Sequence, residues 1–141
     1  MVLSEAREGR RPPRPRSRER RTEMANPFTY SELHSKDLKR ARAFYSELFE
    51  WKLAPVPVPG REYSMVDAGE GTQGGATEEM FEGVSGWLTY VRVDDCAKST
   101  RRARDLGAQV VRECVEIPDG IFSVLRDPAG AAVGIFQPRK A

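Results

Sequence analysis

Along residues 27–35, Pro-Phe-Thr-Tyr-Ser-Glu-Leu-His-Ser, side chains alternate with the period of two that a strand imposes on its opposite faces. Tyr30, Glu32 and His34 then share one side, and Ser31 and Leu33 take the other. The period lengthens after that. Leu38, Ala41, Phe44, Tyr45, Leu48 and Phe49 recur at three- and four-residue steps behind Asp37, with Lys39, Arg40, Arg42 and Glu47 on the outer side. This predicts a capped amphipathic helix. Strands are expected at 51–53, 63–66 and 71–77, and the run Pro55, Pro57, Pro59, Gly60 predicts a loop over 54–62.

The same order returns after an acidic, Gly-containing linker at 78–85. A strand at 87–93 leads to Asp94 or Asp95, which caps a helix bearing Ala97, Ala103 and Leu106, and Gly107 stands where a helix end needs positive φ. Strands follow at 108–115, 122–125 and 131–136, separated by the turn residues Pro118-Asp119-Gly120 and Asp127-Pro128-Ala129-Gly130. Asp37 and Asp95 stand 58 positions apart, and Gly75 and Gly134 stand 59 apart, so the register holds over a whole copy. The pattern predicts an α+β fold of two βαβββ modules, 26–80 and 86–138. Helices cover one face of a curved mixed sheet, and the other face curls around a cleft. Leu88, Tyr90 and Arg92 are expected on the cleft side, with Glu32 opposite Tyr90 and His34 opposite Arg92.

Charge divides the chain differently from hydropathy. The formal net charge is +2, but residues 1–23 carry eight arginines against four glutamates, and the remainder carries fifteen basic against seventeen acidic side chains. With Pro12, Pro13 and Pro15 and almost nothing apolar, residues 1–25 are expected to be a disordered Arg-rich tail. Such a tail allows nucleic-acid binding through counterion release, against the plainer reading of a solvated extension; Met24 would itself make a natural beginning. No apolar run has the length of a signal sequence core or a membrane span, so a cytoplasmic protein without membrane contact is expected. Cys96 and Cys114 lack metal-site spacing and read as small buried side chains.

The phrases Asp37-Leu38 followed by residues 43–51, Ala-Phe-Tyr-Ser-Glu-Leu-Phe-Glu-Trp, and Leu125-Arg126-Asp127-Pro128-Ala129-Gly130 leading to Gly134-Ile135-Phe136-Gln137-Pro138 resemble the vicinal oxygen chelate superfamily. That superfamily includes glyoxalase I, extradiol dioxygenases and the bleomycin- and fosfomycin-resistance proteins. The resemblance covers nearly all of 27–138 and implies the glyoxalase/bleomycin-resistance fold and, for a two-module chain, a homodimer. In metal-using members four side chains from the first and last strands of the modules chelate one divalent ion. The resemblance carries these positions onto Tyr30, Gly75, Leu88 and Gly134. Gly and Leu offer no lone pair to a divalent ion, so no metal site is expected.

Two principal readings follow. In the first, the cleft binds or sequesters a small organic ligand without a cofactor, lined by Tyr30, Glu32, His34, Tyr90, Arg92, Trp51 and Phe122. Tyr63 is a further aromatic that could stack on a planar ligand. In the second, the chain is an enzyme, a glyoxalase- or dioxygenase-like lyase or oxidoreductase. Glu32 and His34 then serve as an acid/base pair or a partial site for Zn, Ni, Fe or Mn. An ion pair between Glu32 and Arg92 is the structural alternative for the carboxylate.

Overall fold

In a computed structural model, residues 25–140 are described; the expected tail lies outside them, apart from Ala25. The first module is β1 (Phe28–Ser35), α1 (Leu38–Leu48), β2 (Lys52–Val58), β3 (Arg61–Asp67) and β4 (Gln73–Glu78). The second is β5 (Gly86–Arg92), α2 (Cys96–Asp105), β6 (Gln109–Ile117), β7 (Gly120–Arg126) and β8 (Ala132–Pro138). Both helices begin on an aspartate. Asp37 Oδ1 accepts from the Arg40 amide at 3.1 Å, and Asp95 Oδ1 accepts from the Lys98 amide at 2.9 Å.

All eight strands join one sheet in the order β2-β3-β4-β1-β5-β8-β7-β6. The duplication is visible in this order. β1 and β5 meet antiparallel at the centre, β4 runs parallel to β1, and β8 runs parallel to β5. Under the helices lie two apolar clusters, one around Leu33, Leu38 and Ala76, the other around Val93, Cys96, Leu125 and Ile135. A third cluster of Phe81, Val84, Leu88, Tyr90 and Val124 occupies the opposite, concave face. Phe81 and Val84 come from the linker between the modules, which folds back as a strap over that face and buries both.

The loop expected over 54–62 is instead a hairpin. β2 pairs with β3 from Lys52↔Asp67 to Val58↔Arg61, turning at Pro59 and Gly60, whose φ of 78° suits a residue without Cβ. Pro55 and Pro57 are tolerated because β2 is an edge strand, where an N–H facing outward has no ladder partner to lose. Among the described residues no helix is long and apolar enough to cross a membrane.

Candidate functional site

Alternation along β1 sends Tyr30, Glu32 and His34 to the concave face and Leu33 to the helix side. Glu32 is 8% exposed, and a buried carboxylate is tolerated only when its oxygens are paired. Three donors supply that pairing. Oε1 accepts from His34 Nε2 at 2.7 Å and from the Tyr90 hydroxyl at 3.2 Å, and Oε2 accepts from the Tyr63 hydroxyl at 2.7 Å. Because Tyr63 spends its one proton on Glu32, the 2.5 Å bond between the two phenols is donated by Tyr30. A chain of hydrogen bonds therefore runs from Tyr30 through Tyr63 and Glu32 to His34.

The glycines of the closing strands make room for it. Gly75 pairs with Glu32 on one side and Met65 on the other, and a Cβ on Gly75 would overlap the hydroxyls of Tyr30 and Tyr63. At Gly134 a Cβ would overlap the Tyr90 ring. Three phenols thus fill space that side chains at these two positions would otherwise take.

Electrostatics follow from the same contacts. Burial favours the neutral acid at Glu32, but hydrogen bonds from His34, Tyr63 and Tyr90 outweigh it and hold the carboxyl below its ordinary range. Burial, and then the Glu32 charge among lesser causes, pushes Tyr30 up to about 12. Tyr63 and Tyr90 are raised further, again by burial first and Glu32 second. At neutral pH the site is one carboxylate inside a ring of protonated phenols.

Two atoms of this network retain capacity. The Tyr30 oxygen, half-buried, has donated its proton and keeps lone pairs for an incoming N–H or O–H. His34 is 1% exposed, and its Nδ1 has no hydrogen-bond partner among the described residues. Its ring lies 5.4 Å from that of Phe81, under the strap.

Of the residues expected in the cleft, Tyr30, Glu32, His34 and Tyr90 are brought together. Phe122 stands at their side, its ring edge-on to Tyr90 at 6.0 Å. Arg92 is a correction. The central strands run antiparallel, so Tyr30 faces Tyr90, Glu32 faces Leu88 and His34 faces Gly86, and Arg92 is carried to the far end of β5, exposed, with its main chain held by Pro27 and Asn26. The Glu32–Arg92 ion pair is accordingly replaced by phenols and imidazole.

Trp51 is a second correction. It packs outside the cleft against Tyr45 at 5.7 Å, Phe49 at 4.9 Å and Trp87 at 5.8 Å. Trp87 pairs with Leu33, whose side chain faces the helices, so this aromatic group belongs to the convex side. Tyr63 contributes its hydroxyl to the network as well as a ring. The side-chain-free Gly75 on the intervening strand was the signal for that crossing. A separate surface groove on the helix side, lined by Val93, Ser99, Arg102, Leu125 and Ile135 among others, includes none of the network.

A family model described as a glyoxalase-like domain matches residues 32–136. A Mycobacterium tuberculosis protein provisionally named glyoxylase CFP32 is 34% identical over 101 residues, 70% of this chain; the match spans only 39% of that relative's length. The fold is similar to that of a glyoxalase/bleomycin resistance protein/dioxygenase superfamily member from Vibrio splendidus, with TM-score 0.55 and 15% identity over 82% of this chain and 100% of that one. A hypothetical protein from Bacillus halodurans gives TM-score 0.62 and 16% identity over 83% of this chain and 97% of its own.

Proposed function

The chain belongs to the glyoxalase-like domain family of the vicinal oxygen chelate superfamily, and from that premise we propose that it binds a small organic molecule on the concave sheet face without a chelated metal. One observation carries the proposal. The space beside Gly75 and Gly134, two of the four positions (Tyr30, Gly75, Leu88 and Gly134) onto which the resemblance carries the superfamily's chelating side chains, is taken by the phenols of Tyr30, Tyr63 and Tyr90.

This donor set does not fit a divalent ion. Leu88 is buried among apolar neighbours, neutral phenols are poor ligands, and both oxygens of Glu32 already accept hydrogen bonds. The carboxylate acts instead as an internal anchor that fixes three donors. What the network offers a ligand is acceptor capacity at the half-buried Tyr30 oxygen; His34 Nδ1 lies buried beneath the strap. Beside them stand the apolar surfaces of Phe81, Phe122 and Phe136. Apolar walls with a few convergent polar atoms are the usual composition of a small-molecule site.

A second reading rests on the unbroken hydrogen-bond chain from Tyr30 to His34. Such a chain can move a proton from a substrate at the Tyr30 oxygen through Tyr63 to the Glu32 carboxylate, each hydroxyl passing on its own proton as it receives one, the requirement of an acid/base lyase. Its ends are poorly matched to that task. Glu32 is held below the carboxylate range and Tyr30 is pushed to about 12, both away from neutrality. Binding is the better supported function.

A thermal-shift screen over small aromatics, thiols and antibiotics tests the proposal, followed by amide-NMR mapping of each hit. Shifts concentrated on β1, β3 and the strap are expected. Hits that map only to the helix-side groove would contradict it.

A further inference from the structure

The geometry points to an organic anion as the ligand, with its carboxylate or phosphate held at the strap end of the cleft by Arg61 and Arg112. This inference rests on the binding reading above and names the ligand class for the same site.

The two guanidinium groups come from opposite halves of the sheet. Arg61 opens β3 in the first module, and Arg112 lies in β6 at the outer edge of the second. Sheet curvature brings both to consecutive residues of the strap. Arg61 donates to the Met80 thioether, and the Arg112 guanidinium carbon lies 5.4 Å over the Phe81 ring. Both side chains also border the network. Arg61 sits 5.7 Å over the ring of Tyr63, whose hydroxyl bonds Glu32, and the Phe81 ring beneath Arg112 packs on His34.

Among the described residues, neither guanidinium forms an ion pair with a carboxylate, whereas Arg42 pairs with Glu62 and Arg104 with Glu113. A guanidinium has five N–H donors, but Arg61 finds a thioether, a weak acceptor, and Arg112 finds the carbonyl of its own neighbour Val111 at 3.0 Å. Holding the strap does not require them. Arg126 fastens it through the carbonyls of Gly83 and Glu82.

Donors left open over aromatic faces suit a planar carboxylate or phosphate group, which takes guanidinium bonds in pairs. The neighbouring rings exclude water from one side and strengthen the attraction. An anion seated there leaves the rest of the molecule to run past the partly exposed Phe122 toward the Tyr30 oxygen. The buried Glu32 charge repels an anion deeper in, which fixes the orientation with the acidic group at the strap.

Amide-NMR titration of the full chain with benzoate, phenyl phosphate and neutral benzamide tests this, repeated on Arg61→Gln and Arg112→Gln. Both positions are exposed, so the variants keep the fold, which far-UV circular dichroism verifies. The expected result is that both anions shift amides of β3 and the strap and bind roughly tenfold more tightly than benzamide. Each variant should lose most of that margin while its benzamide affinity stays unchanged. Equal affinity for benzoate and benzamide at the cleft, or anion binding indifferent to both substitutions, overturns the inference and leaves the binding reading standing. The failure of all three probes to perturb any concave-face amide overturns both.

Discussion

Tyr63 on β3 reaches across the whole width of β4 to donate its hydroxyl proton to Glu32 Oε2 at 2.7 Å. The contact exists because Gly75, between them, has no side chain to block the path. The glycine therefore has a structural use here. It lets a phenol hydroxyl reach and pair the buried carboxylate.

Removing that donor should expose what it compensates. Tyr63→Phe keeps the ring and deletes one of the three bonds to Glu32, leaving a buried lone pair unmet at a cost of about 1–3 kcal/mol. Glu32→Gln replaces an acceptor-only group by an amide whose N–H₂ confronts donors, and should cost at least as much. Urea denaturation of the two variants and the parent measures both, with a lowered midpoint and an unchanged slope expected.

At Gly75 the smallest addition should be costly. In Gly75→Ala the new methyl overlaps the hydroxyls of Tyr30 and Tyr63, so both phenols must swing away from Glu32 or the strands must part. A loss of about 2 kcal/mol or more is expected, in the range of overpacking combined with an unpaired buried acceptor. Gly69→Ala is the control. Its φ of 91° imposes backbone strain, but nothing lies within 4 Å of the added carbon. Differential scanning calorimetry should therefore show a larger drop at Gly75, and only there should the loss shrink when Tyr63→Phe is already present.

The network also sets the pH limits of stability. Glu32 has its folded pKa below the unfolded value of about 4.5, so its stabilisation is complete above that value and is lost as pH falls through the folded one. Tyr30 is raised from 10.0 to about 12, so its contribution is complete below 10.0 and is lost as pH rises through about 12. Tyr63 and Tyr90 extend that alkaline limit in the same direction. Near-ultraviolet titration of tyrosinate should show three of the four tyrosines ionising above the ordinary phenol range, together with unfolding at the alkaline end.

The repeat, the two helix caps and the division of β1 into inner and outer faces were legible because they depend on local period and capping chemistry. The spacing of Asp37 from Asp95 and the sequence Tyr30, Glu32, His34 carried that information directly. What depended on strand pairing was not legible. Matching the copies residue for residue suggests that Glu32 faces Tyr90, whereas antiparallel pairing of β1 with β5 reverses the order and removes Arg92 from the cleft. The proline-rich stretch read as a loop because local sequence does not reveal that β2 lies at an edge. For Trp51 the ring alone suggests the cleft, since no strand parity places it. Arg61, Arg112 and Phe81 are separated by long stretches of chain, and only the curvature of the sheet and the folding back of the strap bring them together.

Calorimetric titration of chelator-treated protein with Zn, Mn, Ni and Fe(II), run in parallel on Glu32→Gln, bears most directly on the claim that phenols stand in place of a chelate. No stoichiometric binding of any of the four ions to the parent chain is expected, and the variant should give the same baseline. One tightly bound ion per chain, lost on Glu32→Gln, would contradict that claim.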